Sequence, residues 1–117
     1  MKEQAIPVFP MDDPTKARSF YVDGLGFREL FAGHYGSDGT ILGFERGGLR
    51  INLDCPMPGH GREACACLEV LDTDAVFEQW HAKVAICDAP KNEEWGARTF
   101  TVIDPFGNTL FVVGPIK

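Results

Sequence analysis

The segment Asp104-Pro105-Phe106-Gly107-Asn108 lies between two runs of sequence that each have the pattern of a β-strand. Residues 98–103 alternate with a period of two, and residues 109–113 form an apolar run. Aspartate, proline, glycine and asparagine are the residues that tight turns favour. The segment is therefore predicted to be the turn between the last two strands of the chain.

Two helices are predicted at matching places in the two halves of the chain. Asp13-Pro14 has the chemistry of a helix start, with a capping carboxylate followed by proline at the first helical position. About sixty residues later, Asp72 or Thr73 caps a second helix. The equal offset indicates an internal repeat of half the chain.

Strands accompany both helices in the same order, with one strand before each helix and three after it. They are predicted at residues 6–9, 27–32, 40–45, 49–53, 65–70, 98–103 and 109–113, with a weak strand at 84–87. The predicted fold class is α+β, with two βαβββ modules that form mixed sheets with the helices outside. One domain spans residues 1–117, with module one at 1–54, a linker at 55–62 and module two at 63–117.

The length of the chain limits the stability of each module on its own. Each half, at about 60 residues, buries too little surface to be stable alone, so the halves must pack together or pair with those of a second chain. A four-stranded sheet with one helix outside leaves its concave face open. We expect a ligand to bind in that concavity.

The charge of the chain restricts the class of partner. There are 11 Lys and Arg residues against 17 Asp and Glu residues, which gives a net charge of −6. This balance argues against nucleic-acid binding, which needs clustered basic side chains, and it fits a cationic or neutral small molecule. No apolar run approaches the ~18 residues of a membrane helix, and the N-terminal residues have no signal-peptide pattern. A cytoplasmic protein without a membrane partner is expected.

The four cysteines are Cys55, Cys65, Cys67 and Cys87, and they are predicted to be reduced thiols. Cys65 and Cys67 are two positions apart on a predicted strand, so their side chains are expected to share one face. They are predicted to be small buried apolar residues, with a ligand role for Cys65 left open.

Several motifs together resemble those of the glyoxalase/bleomycin-resistance/extradiol-dioxygenase superfamily, also called the vicinal oxygen chelate proteins. They are Phe20-Tyr21 with Leu25-Gly26-Phe27, Glu94-Trp95-Gly96, and the turn at residues 104–108. The resemblance spans nearly the whole chain. It implies a homodimer in which the partner chain completes each ligand cleft. The superfamily contains metal-dependent enzymes and metal-free binding proteins, so the resemblance alone does not decide the function.

The resemblance also indicates where a metal ion would bind. The first-, fifth- and eighth-strand ligand positions fall on Ile6, Cys65 and Phe111, with Asn52 as a fourth-strand candidate. Isoleucine and phenylalanine cannot coordinate a metal, and a catalytic site normally needs three protein ligands. His34, His60 and His81 lie outside these positions and are predicted to be surface residues, the first two in turns or loops. We therefore expect no metal, no cofactor and no catalytic residues.

The aromatic residues support a binding function. In bleomycin-binding members, the tryptophan of the Glu-Trp-Gly motif stacks on planar rings of the drug, and the resemblance extends this role to Trp95. Phe31 and Tyr35 match the aromatic positions that follow the Leu-Gly-Phe segment, although Phe31 could equally belong to the core. The predicted ligand-binding residues are Phe31, Tyr35, Phe44, Asn52, Cys65, Glu94, Trp95 and Phe111.

The predicted function is that of a metal-free binding protein that sequesters a planar, cationic antibiotic of the bleomycin type. Two alternatives stay open. One is a metal-dependent lyase, isomerase or dioxygenase of the same fold that uses Cys65 and Asn52, and the other is a binding module for an unrelated small molecule.

Overall fold

The structure is a computed structural model that describes residues 2–55, 63–86 and 88–117. The first half contains β1 (Val8–Pro10), α1 (Pro14–Arg18), a π-helical segment (Ser19–Gly24), β2 (Arg28–Tyr35), β3 (Gly39–Arg46) and β4 (Leu49–Cys55). The second half contains β5 (Cys65–Glu69), α2 (Thr73–His81), β6 (Lys91–Asn92), β7 (Arg98–Ile103) and β8 (Thr109–Gly114). Most of the predicted linker, residues 56–62, lies outside the described residues.

The strands form two sheets with the same topology. Sheet one has the order β1-β4-β3-β2, and sheet two has the order β5-β8-β7-β6. In each sheet the first and last strands of the module pair in parallel, and the remaining pairs are antiparallel. This repeated arrangement confirms the predicted α+β fold of two βαβββ modules.

The helices start where capping chemistry predicts. Asp13 Oδ1 accepts hydrogen bonds from the backbone N–H groups of Thr15 and Lys16, at 2.9 and 3.2 Å. Asp72, rather than Thr73, caps α2 and accepts a bond from the Ala75 N–H at 3.2 Å. These bonds satisfy N–H groups that have no partner within the helix.

The end of the first helix differs from a regular α-helix. Leu25 N–H donates to the Phe20 carbonyl at 2.9 Å, five residues back, so the last turn is widened into the π-helical segment. Gly26 follows with a φ of 75°, in the left-handed region that glycine adopts without strain. The first helix therefore ends at Gly24 in a wider, π-helical turn.

The predicted weak strand at residues 84–87 is wrong for the three of its residues that are described. Residues 84–86 form no strand, and Cys87 lies outside the described residues. The edge strand of sheet two is instead β6, a few residues later. Next to β6, Asp88 Oδ1 accepts a hydrogen bond from the backbone N–H of Thr101 in β7, at 3.0 Å. In a longer edge strand, a backbone carbonyl would accept this bond instead.

The core lies on one face of each sheet and is continuous through both modules. Tyr21 stacks on Phe44 of sheet one, with 5.5 Å between ring centroids. Trp80 of α2 packs edge-on against Phe100 of sheet two at 6.1 Å, and it lies 6.3 Å from the ring of Phe27. The inner faces of both sheets are therefore buried under the helices. The buried residues of the two modules form one core.

The turn at residues 104–108 joins the two modules through buried hydrogen bonds. Asp104 Oδ2 accepts from Tyr21 Oη at 2.7 Å and from Asn108 Nδ2 at 2.8 Å. Asn108 Nδ2 also donates to the carbonyl of Pro10 in β1, at 2.9 Å. Gly107, with a φ of 84°, lets the turn close. The motif that ends the second module is thus bonded to the helix and the first strand of the first module.

Candidate functional site

Each sheet has a second face that does not pack on the helices. Side chains alternate between the two faces of a strand, so every second residue lies on the face away from the core. On sheet one, the register places Phe31, Gly43, Asn52 and Val8 in one row on this face. We call it the open face of sheet one, and its equivalent on β5, β7 and β8 the open face of sheet two.

Phe31 reaches the open face because of a β-bulge. The register of β2 against β3 shifts between Glu29 and Phe31, so Leu30 is an extra residue in β2. Without this shift in register, Leu30 would be opposite Gly43, and Phe31 would be opposite Leu42 and point into the core. The side chain is 40% exposed.

Two glycines of β3 create the space for the aromatic rings of β2. A Cβ atom placed on Gly43 would lie 2.1 Å from Phe31 Cε1, and one on Gly39 would lie 2.5 Å from Tyr35 Cε2. Both rings therefore occupy the space that a side chain at the glycine would fill, and both remain partly exposed. Tyr35 is 45% exposed.

A carboxylate lies beside the Tyr35 ring on the same face. Tyr35 Oη donates a short hydrogen bond to Asp54 Oδ1 of β4. This bond, followed by partial desolvation and the charges of Asp54, Cys55 and Asp38, raises the pKa of Tyr35 to about 12. Sequence reasoning did not single out Asp54, although its position two residues after Asn52 could have placed it on the same face.

Asn52 lies on the open face between Gly43 and Val8. Its backbone N–H donates to the carbonyl of Pro7 at 3.0 Å. Its side-chain Oδ1 is buried and accepts no hydrogen bond from the residues that the structure describes. Most buried acceptors in native proteins are hydrogen-bonded, so this unpaired oxygen is a candidate for a ligand contact.

The open face of sheet two carries the predicted cysteine and phenylalanine. Cys65 and Cys67 share this face, as predicted, but both are exposed rather than buried. The reason is that the core of sheet two is filled by the alternate residues, such as Ala66 and Leu68. Phe111 is half-buried and is paired with Cys67 across the parallel strands β5 and β8.

The loop between β6 and β7 presents Trp95, which is 64% exposed. The loop is closed by a bond from Glu93 N–H to the Ala97 carbonyl at 2.7 Å, and Gly96 has a φ of 105°. Glu94 is also exposed, whereas Glu93 Oε1 accepts from Thr99 Oγ1 at 3.0 Å. Of these two neighbouring carboxylates, Glu93 is therefore bonded within the fold, and the predicted ligand-binding residue Glu94 is exposed to solvent.

Phe44 is the one predicted ligand-binding residue that belongs to the core. Its exposed fraction is 0%, and its ring stacks on Tyr21. It lies on the helix side of β3, one residue after Gly43, so it is left out of the site. The prediction that Phe44 binds the ligand is therefore wrong, because its side chain is fully buried on the helix side of the sheet.

The histidines lie at the surface where they are described. His34 is on β2 rather than in a turn, and its Nδ1 lies 3.3 Å from Thr40 Oγ1. His81 stacks on Phe77 at the end of α2, with 4.9 Å between ring centroids. His60 lies outside the described residues.

The positions expected for a metal ion fall in two places. Ile6 precedes β1, and Asn52 is paired with Val8 on the open face of sheet one, whereas Cys65 and Phe111 lie on the open face of sheet two. Within residues 2–55, 63–86 and 88–117, no three His, Cys, Asp or Glu side chains are grouped closely enough to hold an ion.

The site residues therefore form three groups. Phe31, Tyr35 and Asn52 lie together on the open face of sheet one, Cys65 and Phe111 lie on the open face of sheet two, and Glu94 and Trp95 lie in the loop before β7.

Among the described residues, no helix has the length and apolar character needed to cross a membrane.

Residues 1–114 match the family described as glyoxalase superfamily protein, and the chain belongs to this superfamily. A glyoxalase/bleomycin resistance protein from Streptomyces sp. CB03234 is 28% identical, with a TM-score of 0.79 over 95% of this chain and 99% of that chain. A bleomycin-binding protein from Streptomyces verticillus, complexed with copper(II)-bleomycin, is 27% identical, with a TM-score of 0.73 over 99% and 98%. An antibiotic-binding protein from Streptomyces sp. CB03234 is 26% identical, with a TM-score of 0.77 over 99% and 98%. No curated protein matches the chain at a significant level.

Proposed function

We propose that this protein binds and sequesters a planar, cationic antibiotic of the bleomycin type, without a metal cofactor and without catalysis. The observation that carries the proposal is the pair of aromatic rings on the open face of sheet one. Phe31 and Tyr35 lie over glycine, with Asp54 bonded to the tyrosine hydroxyl. Flat rings beside a carboxylate suit a ligand that is both aromatic and positively charged.

The physical chemistry of this face favours such a ligand in two ways. Aromatic rings attract other planar rings and cations through their polarisable, electron-rich faces. The net charge of −6 raises the local concentration of a cationic ligand around the whole protein. Glu94, next to the exposed Trp95, adds a negative charge to the loop that we propose as the second contact surface.

The comparisons support this proposal at the level of ligand class. The superfamily contains enzymes as well as binding proteins, but two of the similar proteins, at 26% and 27% identity, bind an antibiotic. In this chain, Ile6 and Phe111 occupy two of the expected metal positions and have hydrocarbon side chains. Both observations favour binding over metal-dependent catalysis.

The proposed complex is a cytoplasmic homodimer with two equivalent clefts. In each cleft, the open face of one sheet faces an open face supplied by the other module or by the partner chain. The drug is held between Trp95 on one side and Phe31 and Tyr35 on the other. Protection follows from mass action, because drug held in the cleft is withdrawn from its target.

The proposal is tested by calorimetric titration of the chelator-treated protein with metal-free bleomycin. We expect about one drug per chain, with a dissociation constant below about 1 μM (about −8 kcal/mol). Trp95→Ala should weaken binding at least tenfold, because a buried aromatic contact in an interface typically contributes about 2 kcal/mol. Leu71→Ala is the matched control, since Leu71 is 96% exposed but lies outside the proposed site.

Three results would contradict the proposal. If no heat is released at any drug concentration, bleomycin is not the ligand, and the alternative of an unrelated small molecule gains support. If a metal-dependent activity appears and is lost in Cys65→Ala, the protein is an enzyme of the same fold. Equal weakening by Trp95→Ala and Leu71→Ala would contradict the placement of the site.

A further inference from the structure

Cys65 and Cys67 form a pair of exposed thiols on the open face of sheet two. Both sulfur atoms belong to one strand, so their spacing is set by β5 itself rather than by the packing of separate elements. Glu69 continues the same face of the strand and is also exposed. We call Cys65 and Cys67 the thiol pair.

The spacing of the thiol pair disfavours a disulfide between its members. Same-face neighbours on a strand lie about 6.6 Å apart, at roughly 3.3 Å per residue. A disulfide needs Cβ atoms about 3.5–4.5 Å apart, so it would require the strand to distort. Pairing of β5 with β8 along its whole length resists such a distortion.

The same spacing suits a metal ion bound between the two sulfur atoms. Metal–thiolate bonds of about 2.3 Å let one ion join sulfur atoms up to about 4.6 Å apart. Rotation about χ1 brings two same-face cysteines to that separation without moving the backbone. Soft thiolates select soft cations, of which Cu(I) is the biological example that accepts as few as two ligands.

We propose that the thiol pair is a two-coordinate site for a soft monovalent cation of the Cu(I) type. On binding, each thiol loses its proton to solvent and forms one sulfur–metal bond, with no change in oxidation state. The carboxylate of Glu69, on the same face, favours the approach of a cation. Cys65 also lies on a face that we propose lines the antibiotic cleft, but the cation site does not rest on antibiotic binding, because it needs only the two thiols of β5.

The test is an anaerobic competition for Cu(I) between the intact chain, with its cysteines reduced, and the coloured chelator bicinchoninate. The protein is expected to withdraw one Cu(I) per chain. Cys65→Ser and Cys67→Ser should each weaken binding by no less than the roughly 10- to 100-fold that loss of a supporting residue costs a metal site. Cys55→Ser, on sheet one, is the matched control and should bind Cu(I) as the unaltered protein does.

A second measurement keeps the test independent of folding. Cu(I) should protect two thiols of the unaltered protein, and of Cys55→Ser, from a thiol-modifying reagent. The proposal is overturned if the Cys65→Ser/Cys67→Ser double variant withdraws as much Cu(I) as the unaltered protein, or if Cys55→Ser abolishes binding. It is also overturned if Zn(II), which prefers four ligands, binds more tightly than Cu(I). The titration contains no antibiotic, so its outcome is separate from that of the proposed function.

Discussion

At the scale of single residues, the open face of sheet one depends on what is missing from β3. Gly43 and Gly39 have no side chains, and the rings of Phe31 and Tyr35 occupy the space that a Cβ atom would fill. A bulky residue at either position would lift the ring out of its place. The aromatic surface is therefore specified jointly by two strands, with the large residue on one and the small residue on the other.

We expect Gly43→Ala to weaken ligand binding while the protein still folds. The added methyl group would overlap Phe31 Cε1, so the ring must rotate away from its stacking position. The loss of one aromatic contact, about 0.5–1.5 kcal/mol, corresponds to binding of bleomycin that is weaker by roughly two- to thirteenfold in calorimetry. Gly48→Ala is the control, because an added Cβ at Gly48 meets open space. Equal binding by both variants would show that Phe31 does not contact the ligand.

Both tyrosines of this chain are expected to ionise above the ordinary range. Burial, then the charge of Asp104 and its hydrogen bond, raise the pKa of Tyr21 well above its usual value, and the bond to Asp54 raises that of Tyr35 to about 12. At pH 10, near the unperturbed tyrosine pKa, the native protein should show almost no tyrosinate absorbance. The same protein in urea should be about half ionised.

The sign of the effect on stability follows from the raised pKa values. Each tyrosine has a higher pKa in the native state than in the unfolded state, so the protonated hydroxyl stabilises the native protein. This stabilisation is complete below the tyrosine pKa of the unfolded chain, near pH 10, and is lost as the pH rises above it. The free energy of unfolding should therefore fall above about pH 10. In the Tyr35→Phe variant, Tyr21 is the one tyrosine left whose ionisation can be followed. Half ionisation of the native protein at pH 10 would contradict both assignments.

At the scale of elements, the turn at residues 104–108 has a role beyond reversing the chain. Asp104 accepts bonds from Tyr21 of the first module, and Asn108 bonds the carbonyl of Pro10 and the backbone N–H of Ala64. These groups are buried, so each unmet bond would be costly. The turn therefore fixes the position of one module on the other.

Tyr21→Phe should lower the free energy of unfolding by about 1–3 kcal/mol, because a buried, charge-assisted hydrogen bond is lost. Tyr35→Phe is a matched control, since it removes the same hydroxyl from the same kind of partner at an exposed site. Its effect should be much smaller, because solvent replaces the lost bond. Urea denaturation followed by circular dichroism measures both. Equal destabilisation would show that the Tyr21 bond does not tie the modules together.

At the scale of the whole molecule, the open faces leave apolar side chains in solvent. Val8 and Phe31 on sheet one and Ile103 on sheet two are all exposed in the single chain. Exposed apolar surface of this kind marks a ligand or protein contact. A second copy of the chain would cover it and complete the proposed clefts.

We therefore expect the protein to sediment as a dimer of about twice 12.9 kDa. Ile103→Asp should shift the equilibrium toward the monomer, because it places a charge on the face that a partner would cover. Ile116→Asp is the control, as Ile116 is similarly exposed near the C-terminus, beyond the last strand. Sedimentation of the unaltered protein at 12.9 kDa, at micromolar concentration, would contradict the dimer.

Much of the fold could be predicted from the sequence, and less of the site. The capping residues Asp13 and Asp72 and the turn at residues 104–108 act through local bonds, so their patterns are readable along the chain. The register between strands is not local. The first strand was predicted at residues 6–9, whereas β1 spans Val8–Pro10 and pairs Val8 with Asn52.

The sequence by itself determined the two βαβββ modules, because strand periodicity, helix caps and turn residues are properties of neighbouring positions. The tertiary structure decided which residues face a ligand. The extra residue Leu30 turns Phe31 out of the core, and the pairing of its strand with β3 sets its ring on Gly43. Burial was decided in the same way for Phe44 and the cysteines of β5. The physical reason is that the face a side chain takes depends on strand register, which only contacts distant in sequence can fix.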